Sequence, residues 1–420
     1  MKLVKVGARG ATAERLLRQL EERRVASSDA VLPAVRRIVK GVRDGGDAAL
    51  RRYAAKFDGL PAKAEFRISR EEMQRAWEET SAELQNALRS AAKNIRAFAE
   101  RQFPQEWSFS PVPGLETGQV IRALDSCGCY VPSGRYPLPS TLLMTVIPAQ
   151  AAGVKRIVVV SPRPARETLA AAWMLGVDDF FRTGGAQAIA ALAYGTESLP
   201  RVDKIVGPGN QYVTATKKLV VFDCSIDMLA GPTEIVVTSE KGEAAAISSD
   251  LVAQAEHDPQ ALPIFVTTNV TLAKEVAAEV KRRVKANAIA RESIAKNGII
   301  FIAPTVEIAR EITNRLAPEH LTVDSEADLK WVRNAGSVFI GRYSPQPMGD
   351  YISGPNHTLP TGTMARVRGG LSVLDFVKIV TVQRYTREGL QALGPAAIAL
   401  AEAEGLHGHA EAIRARGVRG

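Results

Sequence analysis

The five histidines of this 420-residue chain, His257, His320, His357, His407 and His409, all lie in its C-terminal part, and most stand beside groups they could work with. In Arg315-Leu316-Ala317-Pro318-Glu319-His320-Leu321 a carboxylate adjoins an imidazole. Pro318 stops the helix before them, so the pair lines a loop rather than a helical face. An imidazole titrates near neutrality and a neighbouring carboxylate tunes it, which suits acid–base work; two polar residues opening a strand would look the same. Gln254 and His257, three apart in a helical stretch from about Ala244, share a face. Alone they are as readily ordinary polar residues. Asp350 and His357 fall in Gly349-Asp350-Tyr351-Ile352-Ser353-Gly354-Pro355-Asn356-His357, which reads as an irregular loop, and long ordered loops usually carry function. Glu402, Glu404, His407 and His409 cluster near the C-terminus. Glutamine, histidine and aspartate make a mixed nitrogen and oxygen donor set that suits zinc rather than an iron–sulfur cluster or calcium. The donors are not consecutive, so spacing alone does not assemble a site.

The elements that must position these groups alternate. Residues from about 30 to 57 and from about 70 to 103 carry apolar positions at helical spacing, punctuated by Gly45-Gly46 and Gly59-Leu60-Pro61. From about residue 115 short apolar strands alternate with Ala-rich helices: Arg156–Val160, Lys204–Val206, Glu234–Val237, Pro263–Val266 and Gly298–Ile302. Continuous apolar strands between helices predict largely parallel sheets covered by helices. Gly207-Pro208-Gly209 and Gly231-Pro232 fall where strands and helices meet, and ligands in such folds gather at the carboxyl ends of strands. From about 380 the chain reads as two helices parted near Gly405. A tail this short cannot bury a core of its own, so it must pack on its own body or on a partner.

Composition and charge narrow the class. A content of 46% hydrophobic and 24% charged residues is ordinary for a globular chain, and only 6% aromatics leaves a core of Ala, Val, Ile and Leu. The opening residues lack an apolar stretch before a small-residue cleavage site and do not read as a signal peptide. No apolar run approaches the ~20 residues of a membrane span. A cytoplasmic protein is expected. The net charge of +9 is scattered and mixed with acids, as in Glu21-Glu22-Arg23-Arg24, so it reads as a solvated surface rather than a nucleic-acid stripe. Cys127, Cys129 and Cys224 are odd in number and lack a regular framework, which argues against disulfides. Cys127 and Cys129 have no second pair to complete a metal site and read as small hydrophobes.

Gln-Ala-Glu-His at 254–257, Ala-Pro-Glu-His-Leu at 317–321 and Gly-Asp-Tyr-Ile-Ser-Gly-Pro-Asn-His-Thr-Leu-Pro at 349–360 follow one another in an order that closely resembles the histidinol dehydrogenases. The resemblance covers nearly the whole chain. It includes Tyr130-Val131-Pro132-Ser133-Gly134, Pro137-Leu138-Pro139-Ser140-Thr141, Gly184-Gly185-Ala186-Gln187, Val206-Gly207-Pro208-Gly209-Asn210, Ala230-Gly231-Pro232-Thr233-Glu234 and Ala403-Glu404-Gly405-Leu406. By position it implies one Zn2+ per subunit held by Gln254, His257, Asp350 and His409, and a catalytic pair in Glu319 and His320. It implies substrate contacts at Thr233, His357 and Glu404, with the zinc ligands and His320 also near the substrate, and NAD contacts at Tyr130, Gln187 and Asn210. The family often has serine where Thr233 stands; the hydroxyl, and its hydrogen bond, are kept. His407 matches no functional position. The glycines alone would not reveal NAD: Gly207-Pro208-Gly209-Asn210-Gln211-Tyr212 begins like G-x-G-x-x-G but ends in tyrosine, with no acidic residue clearly placed for a ribose.

The fold so implied is α/β, with two incomplete Rossmann-like domains of largely parallel sheet and a short helical tail. Residues 1–128 with 237–380 would carry most zinc and catalytic residues, 129–236 would associate with NAD, and 381–420 would form the tail. The resemblance implies a homodimer in which the tail crosses to the partner and delivers His409 and Glu404. The implied reaction oxidises L-histidinol to the aldehyde and then to L-histidine. His320 is the expected base and Glu319 the group that activates water, while zinc holds the substrate's amine and imidazole. Two alternatives stand beside it. A related zinc- and NAD-dependent dehydrogenase could act on another polar alcohol such as a sulfonated diol, although Glu404 and His357 favour histidinol. A zinc hydrolase would leave the NAD positions without purpose.

Overall fold

The apolar runs become central strands of two parallel sheets. The computed structural model describes residues 1–7, 11–23, 30–61, 63–133 and 136–418; Arg24 and Gly134, named above, lie outside the described residues. In chain order the strands are β1 (Lys2–Lys5), β2 (Trp107–Val112), β3 (Leu115–Ala123), β4 (Ser126–Tyr130), β5 (Arg156–Val160), β6 (Asp179–Phe181), β7 (Lys204–Val206), β8 (Ser225–Ile226), β9 (Glu234–Thr238), β10 (Leu262–Thr267), β11 (Ile299–Ile302), β12 (His320–Val323), β13 (Ser337–Ile340) and β14 (Val377–Tyr385). The chain divides into two units, Met1–Gln102 with Leu124–Phe376, and Phe103–Ala123 with Val377–Gly420.

The first unit holds both parallel sheets, ordered β6-β5-β4-β7-β8 and β1-β11-β10-β9-β12-β13. From β4 the five-stranded sheet walks two strands to one side and then returns to the other; the six-stranded sheet does the same from β9, with β1 added at its edge beside β11. The reversals fall between β4 and β7 and between β9 and β12. Because strand side chains alternate, each strand serves two cores. Val236, Ile264, Val266, Phe301, Leu321 and Val323 pack on one face of the six-stranded sheet, and Ile235, Val237, Phe265, Ile300 and Ile302 on the other. The cysteines of β4 are buried and free, as read from their type.

Two boundaries differ from those drawn on the sequence. The helix Leu32–Tyr53 packs Val35, Ile38, Val42 and Leu50 against Val158, Val160, Phe181 and Ile205 of the five-stranded sheet, not the six-stranded one. Its apolar stripe says that it must pack on a sheet but not on which. Residues 103–123 join the C-terminal residues, because β3 pairs along its whole length with β14 in an antiparallel sheet ordered β14-β3-β2. The tail therefore opens with a strand through Tyr385 before the helices Arg387–Ala403 and His407–Arg414. Gly405, at φ 72°, makes the turn between them. Ile398, Ala401, Ala410 and Val418 form the buried cluster of this second unit, and β2 is exposed along its whole length. Among the described residues no helix is long and apolar enough to cross a membrane.

Candidate active site

Glu319 and His320 owe their place to the end of the helix Val306–Leu316. Ala317 closes it in the left-handed region, at φ 44°, although fully buried and not glycine. Such a backbone costs of order 1–3 kcal/mol and persists only where its surroundings hold it. Pro318 follows, and His320 opens β12 directly between Ile235 of β9 and Ser337 of β13. Glu319 and His320 thus sit at the amino ends of three adjacent parallel strands, opposite to the end expected from the fold type. At the carboxyl ends of β9 and β12 the chain's own carboxylates fill the crevice. Asp324 accepts from the Ser239 hydroxyl and from the Glu240 N–H at 2.9 Å, and Glu240 accepts from the Thr268 N–H at 2.9 Å.

Glu319 and His320 are buried, at 6% and 3% exposure. Glu319 Oε2 accepts from the Thr233 hydroxyl at 2.6 Å and from the Glu234 N–H at 2.8 Å. The Gln254 amide donates to the same Thr233 hydroxyl, which leaves Gln254 Oε1 buried without a hydrogen-bond partner. His320 Nδ1 lies 3.0 Å from the Glu234 carbonyl. A carbonyl only accepts, so Nδ1 carries the hydrogen and Nε2 is the free position, 3.7 Å from Asp350 Oδ1. Burial alone would lower the His320 pKa, but Glu319 and Asp350 on either side outweigh it and lift it to about 10. Burial likewise pushes the Asp350 carboxyl up, yet His320, His357 and His257 hold it below its ordinary value.

Asp350 lies in a short helix, Pro347–Tyr351, where the glycine-rich segment was expected to be irregular. Gln346 donates to its Oδ2 at 2.9 Å, and its carbonyl meets His357 Nδ1 at 2.8 Å. His357 Nε2 is 3.4 Å from the Thr141 hydroxyl, and desolvation lowers the His357 pKa. A cavity of about 250 Å³ opens here, lined among others by His320, Ser337, Phe339, Ser353, Asn356 and His357. His257 lies exposed two residues beyond the helix Ala244–Ala255, not on it. Glu404 and His409 are exposed residues of the second unit. Among the described residues no three His, Cys, Asp or Glu side chains are gathered for a metal. Gln254 Oε1 nevertheless fits one: a desolvated amide oxygen without a donor is costly unless something electropositive meets it.

The positions implied for NAD lie on the carboxyl side of the five-stranded sheet. Tyr130 ends β4, and its hydroxyl accepts from the Gly185 N–H at 3.3 Å. Gln187 is buried and donates to Asp58 at 3.0 Å; burial pushes that carboxyl up, against hydrogen bonds from Gln187 and Gly184. Asn210, exposed, caps the helix Gln211–Val220 by accepting from Tyr212 and Val213 N–H at 3.0 and 3.3 Å. No acid occurs from Gly207 to Lys218. The amino end of that helix stays electropositive at the β4/β7 reversal, which suits a dinucleotide phosphate.

Some supporting groups gave no local signal. Arg23 grips the Glu234 carboxylate with both ends of its guanidinium, at 2.9 and 2.8 Å, and Gly362 N–H meets it at 2.9 Å. A partner 211 positions away leaves no periodicity to read. Thr141 lay in a quoted motif but had no assigned role. Thr233→Val should strip Glu319 of a donor and Gln254 of an acceptor, a loss of about 1–3 kcal/mol. The denaturant midpoint should fall, and Thr233→Ser should recover it; an unchanged midpoint for the valine variant would refute this role.

Two parallel sheets covered by helices, one bearing a buried carboxylate–imidazole pair beside an unpartnered amide oxygen, make an α/β protein whose side chains suit acid–base chemistry. The sequence profile of histidinol dehydrogenase matches residues 21–417. The chain is 47% identical over 416 residues to the histidinol dehydrogenase of Methanothermobacter thermautotrophicus, covering 96% of this chain and 97% of that protein. It is 47% identical over 412 residues to that of Bacillus cereus, covering 95% and 96%. A crystal structure of histidinol dehydrogenase from Elizabethkingia anophelis superposes with a TM-score of 0.93 at 33% identity, covering 99% of this chain and 98% of that one. The chain belongs to the histidinol dehydrogenase family and is an oxidoreductase.

Proposed function

We propose that the protein carries out the last step of histidine biosynthesis in the cytoplasm, the zinc- and NAD-dependent four-electron oxidation of L-histidinol to L-histidine. The observation that carries this reading is the orientation of His320. Its Nδ1–H is held by the Glu234 carbonyl, with Glu319 Oε2 3.6 Å from the same nitrogen, so Nε2 is turned the other way, toward Asp350 Oδ1 at 3.7 Å. Nε2 takes the hydroxyl proton as the alcohol becomes aldehyde, gives it up to solvent, and takes a second as the hydrate becomes acid. Both protein donors to Glu319 fall on Oε2, which leaves Oε1 to take a proton from the water that adds to the aldehyde. NAD, when bound at Tyr130, Gln187 and Asn210, supplies the hydride acceptor. Zinc, when held by Gln254, His257, Asp350 and His409, supplies a Lewis acid for the substrate's amine and imidazole nitrogens. His357 and Glu404 are the groups left to read the substrate's polar ends.

The homodimer belongs to the same proposal. Trp107, Phe109, Ile379, Val380, Val382 and Tyr385 are exposed on β2 and β14, Leu400 on the helix that follows and Leu406 in the turn after it. Apolar residues so concentrated on one unit mark an association surface. In this proposal each site takes Glu404 and His409 from the partner subunit.

Counting NADH against histidinol consumed tests the reaction. Two per substrate is expected, because Glu319 is placed to hydrate the aldehyde. A ratio of one with free aldehyde accumulating removes the second step, and inertness toward histidinol would point to another polar alcohol.

A further inference from the structure

Lys217 and Asp227 form an ion pair whose side chains are 2% and 0% exposed. Lys217 Nζ donates to Asp227 Oδ1 and to the Gly207 carbonyl, both at 2.6 Å. Asp227 Oδ2 accepts from the Gly207 N–H at 2.7 Å, and Oδ1 from the Met228 N–H at 2.5 Å. The pair therefore takes both backbone groups of one glycine. That glycine is under close constraint: at φ 112° it lies so near β4 that a Cβ would stand 2.2 Å from the Tyr130 carbonyl oxygen. Three residues on is Asn210.

A buried ion pair is a poor way to gain stability, since packed apolar residues of similar volume often do as well or better. What charges do well is hold one geometry. Asp227 also begins the segment that runs to Thr233, and this segment is held along its length. Arg368 donates to the Asp227 carbonyl, the Thr214 hydroxyl to the Ala230 carbonyl at 2.9 Å, and the Gly231 N–H to the Thr361 hydroxyl at 2.6 Å. At its end Thr233 meets Glu319 and Gln254. The pair stands at the joint between the loop after β7 and the strut that leads to the catalytic carboxylate.

We infer that Lys217 and Asp227 are positioning residues for the dinucleotide: their buried pair clamps Gly207 and, through the strut 227–233, sets the loop carrying Asn210 against Glu319 and Gln254. The inference rests on the NAD reading above. Neither side chain touches the reacting atoms.

Lys217→Met would leave Asp227 charged and unpaired in the interior, a change that can stop folding by itself. The double variant Lys217→Met with Asp227→Asn leaves no buried charge. It keeps an acceptor for the Gly207 N–H, and it removes the donor to the Gly207 carbonyl together with the Oδ1 acceptor of the Met228 N–H. Full-length zinc-loaded enzyme, parent and double variant side by side, is titrated with NADH by nucleotide fluorescence. Histidinol binding is followed by calorimetry without nucleotide, and zinc by metal analysis. The double variant should keep its zinc and bind histidinol within about twofold of the parent. It should bind NADH roughly tenfold or more weakly, as expected when a binding loop is misplaced, with KM for NAD rising in step. NADH binding equal to the parent's overturns the inference. So does a joint loss of zinc, histidinol and NADH, or a double variant that does not fold, because the pair would then serve the fold alone. A parent that binds no NADH overturns the cofactor reading and this inference together, and its own titration tells that case apart.

Discussion

His320→Asn should lower turnover by about 10²- to 10⁴-fold, the range that a positioned general base contributes, with zinc content unchanged. The substitution is chosen for what it keeps. An asparagine amide can still donate toward the Glu234 carbonyl that now holds Nδ1, so the start of β12 retains its anchor. What disappears is Nε2, the atom that faces Asp350 at 3.7 Å. The comparison is His257→Asn. His257 is exposed beyond its helix and, in the proposed reading, is a zinc donor shared with Asp350. Its loss should remove most of the zinc, and activity with it. Metal analysis and steady-state kinetics on the two purified variants separate base from ligand. A His320→Asn enzyme that arrives without zinc would show that the division of labour is wrong.

Mixing His320→Asn with His409→Asn should restore activity from two inactive proteins. His320 belongs to the first unit and His409 to the second. If each site takes His409 from the other subunit, a mixed dimer contains one site with both lesions and one with neither. Random pairing after co-refolding puts half the dimers in this mixed state, so about a quarter of the parental activity should return, as symmetry-related exchange of an element requires. If each site lies within one chain, every site keeps a lesion and the mixture stays inactive. The exposed apolar residues of β2 and β14 supply the surface on which such an exchange would be stabilised, and dilution below the dimer's dissociation range should abolish the recovered activity.

Much of the protein is legible in its sequence because the signals are local. A run such as Glu234-Ile235-Val236-Val237 is apolar enough to be buried on both faces, and it becomes β9 with every residue buried. The adjacency of Glu319 and His320 and the break at Gly405 are likewise facts about neighbours, and each keeps its meaning once the chain folds, whereas the helix that would have put Gln254 and His257 on one face ends at Ala255. Tertiary structure alone decided which ends of the strands meet. A loop before a strand and a loop after it have similar compositions, so nothing local says that Thr233 and Glu319 converge at amino ends while Asp324 and Glu240 close the opposite crevice. The same holds for the orphaned Gln254 oxygen, for Arg23 on Glu234, for the helix Leu32–Tyr53 on the five-stranded sheet and for β3 on β14. Hydrogen bonds and ion pairs between residues hundreds of positions apart depend on strand register and packing. Those are properties of the assembled sheets, set by the sum of many weak apolar contacts, and no single window of sequence contains them.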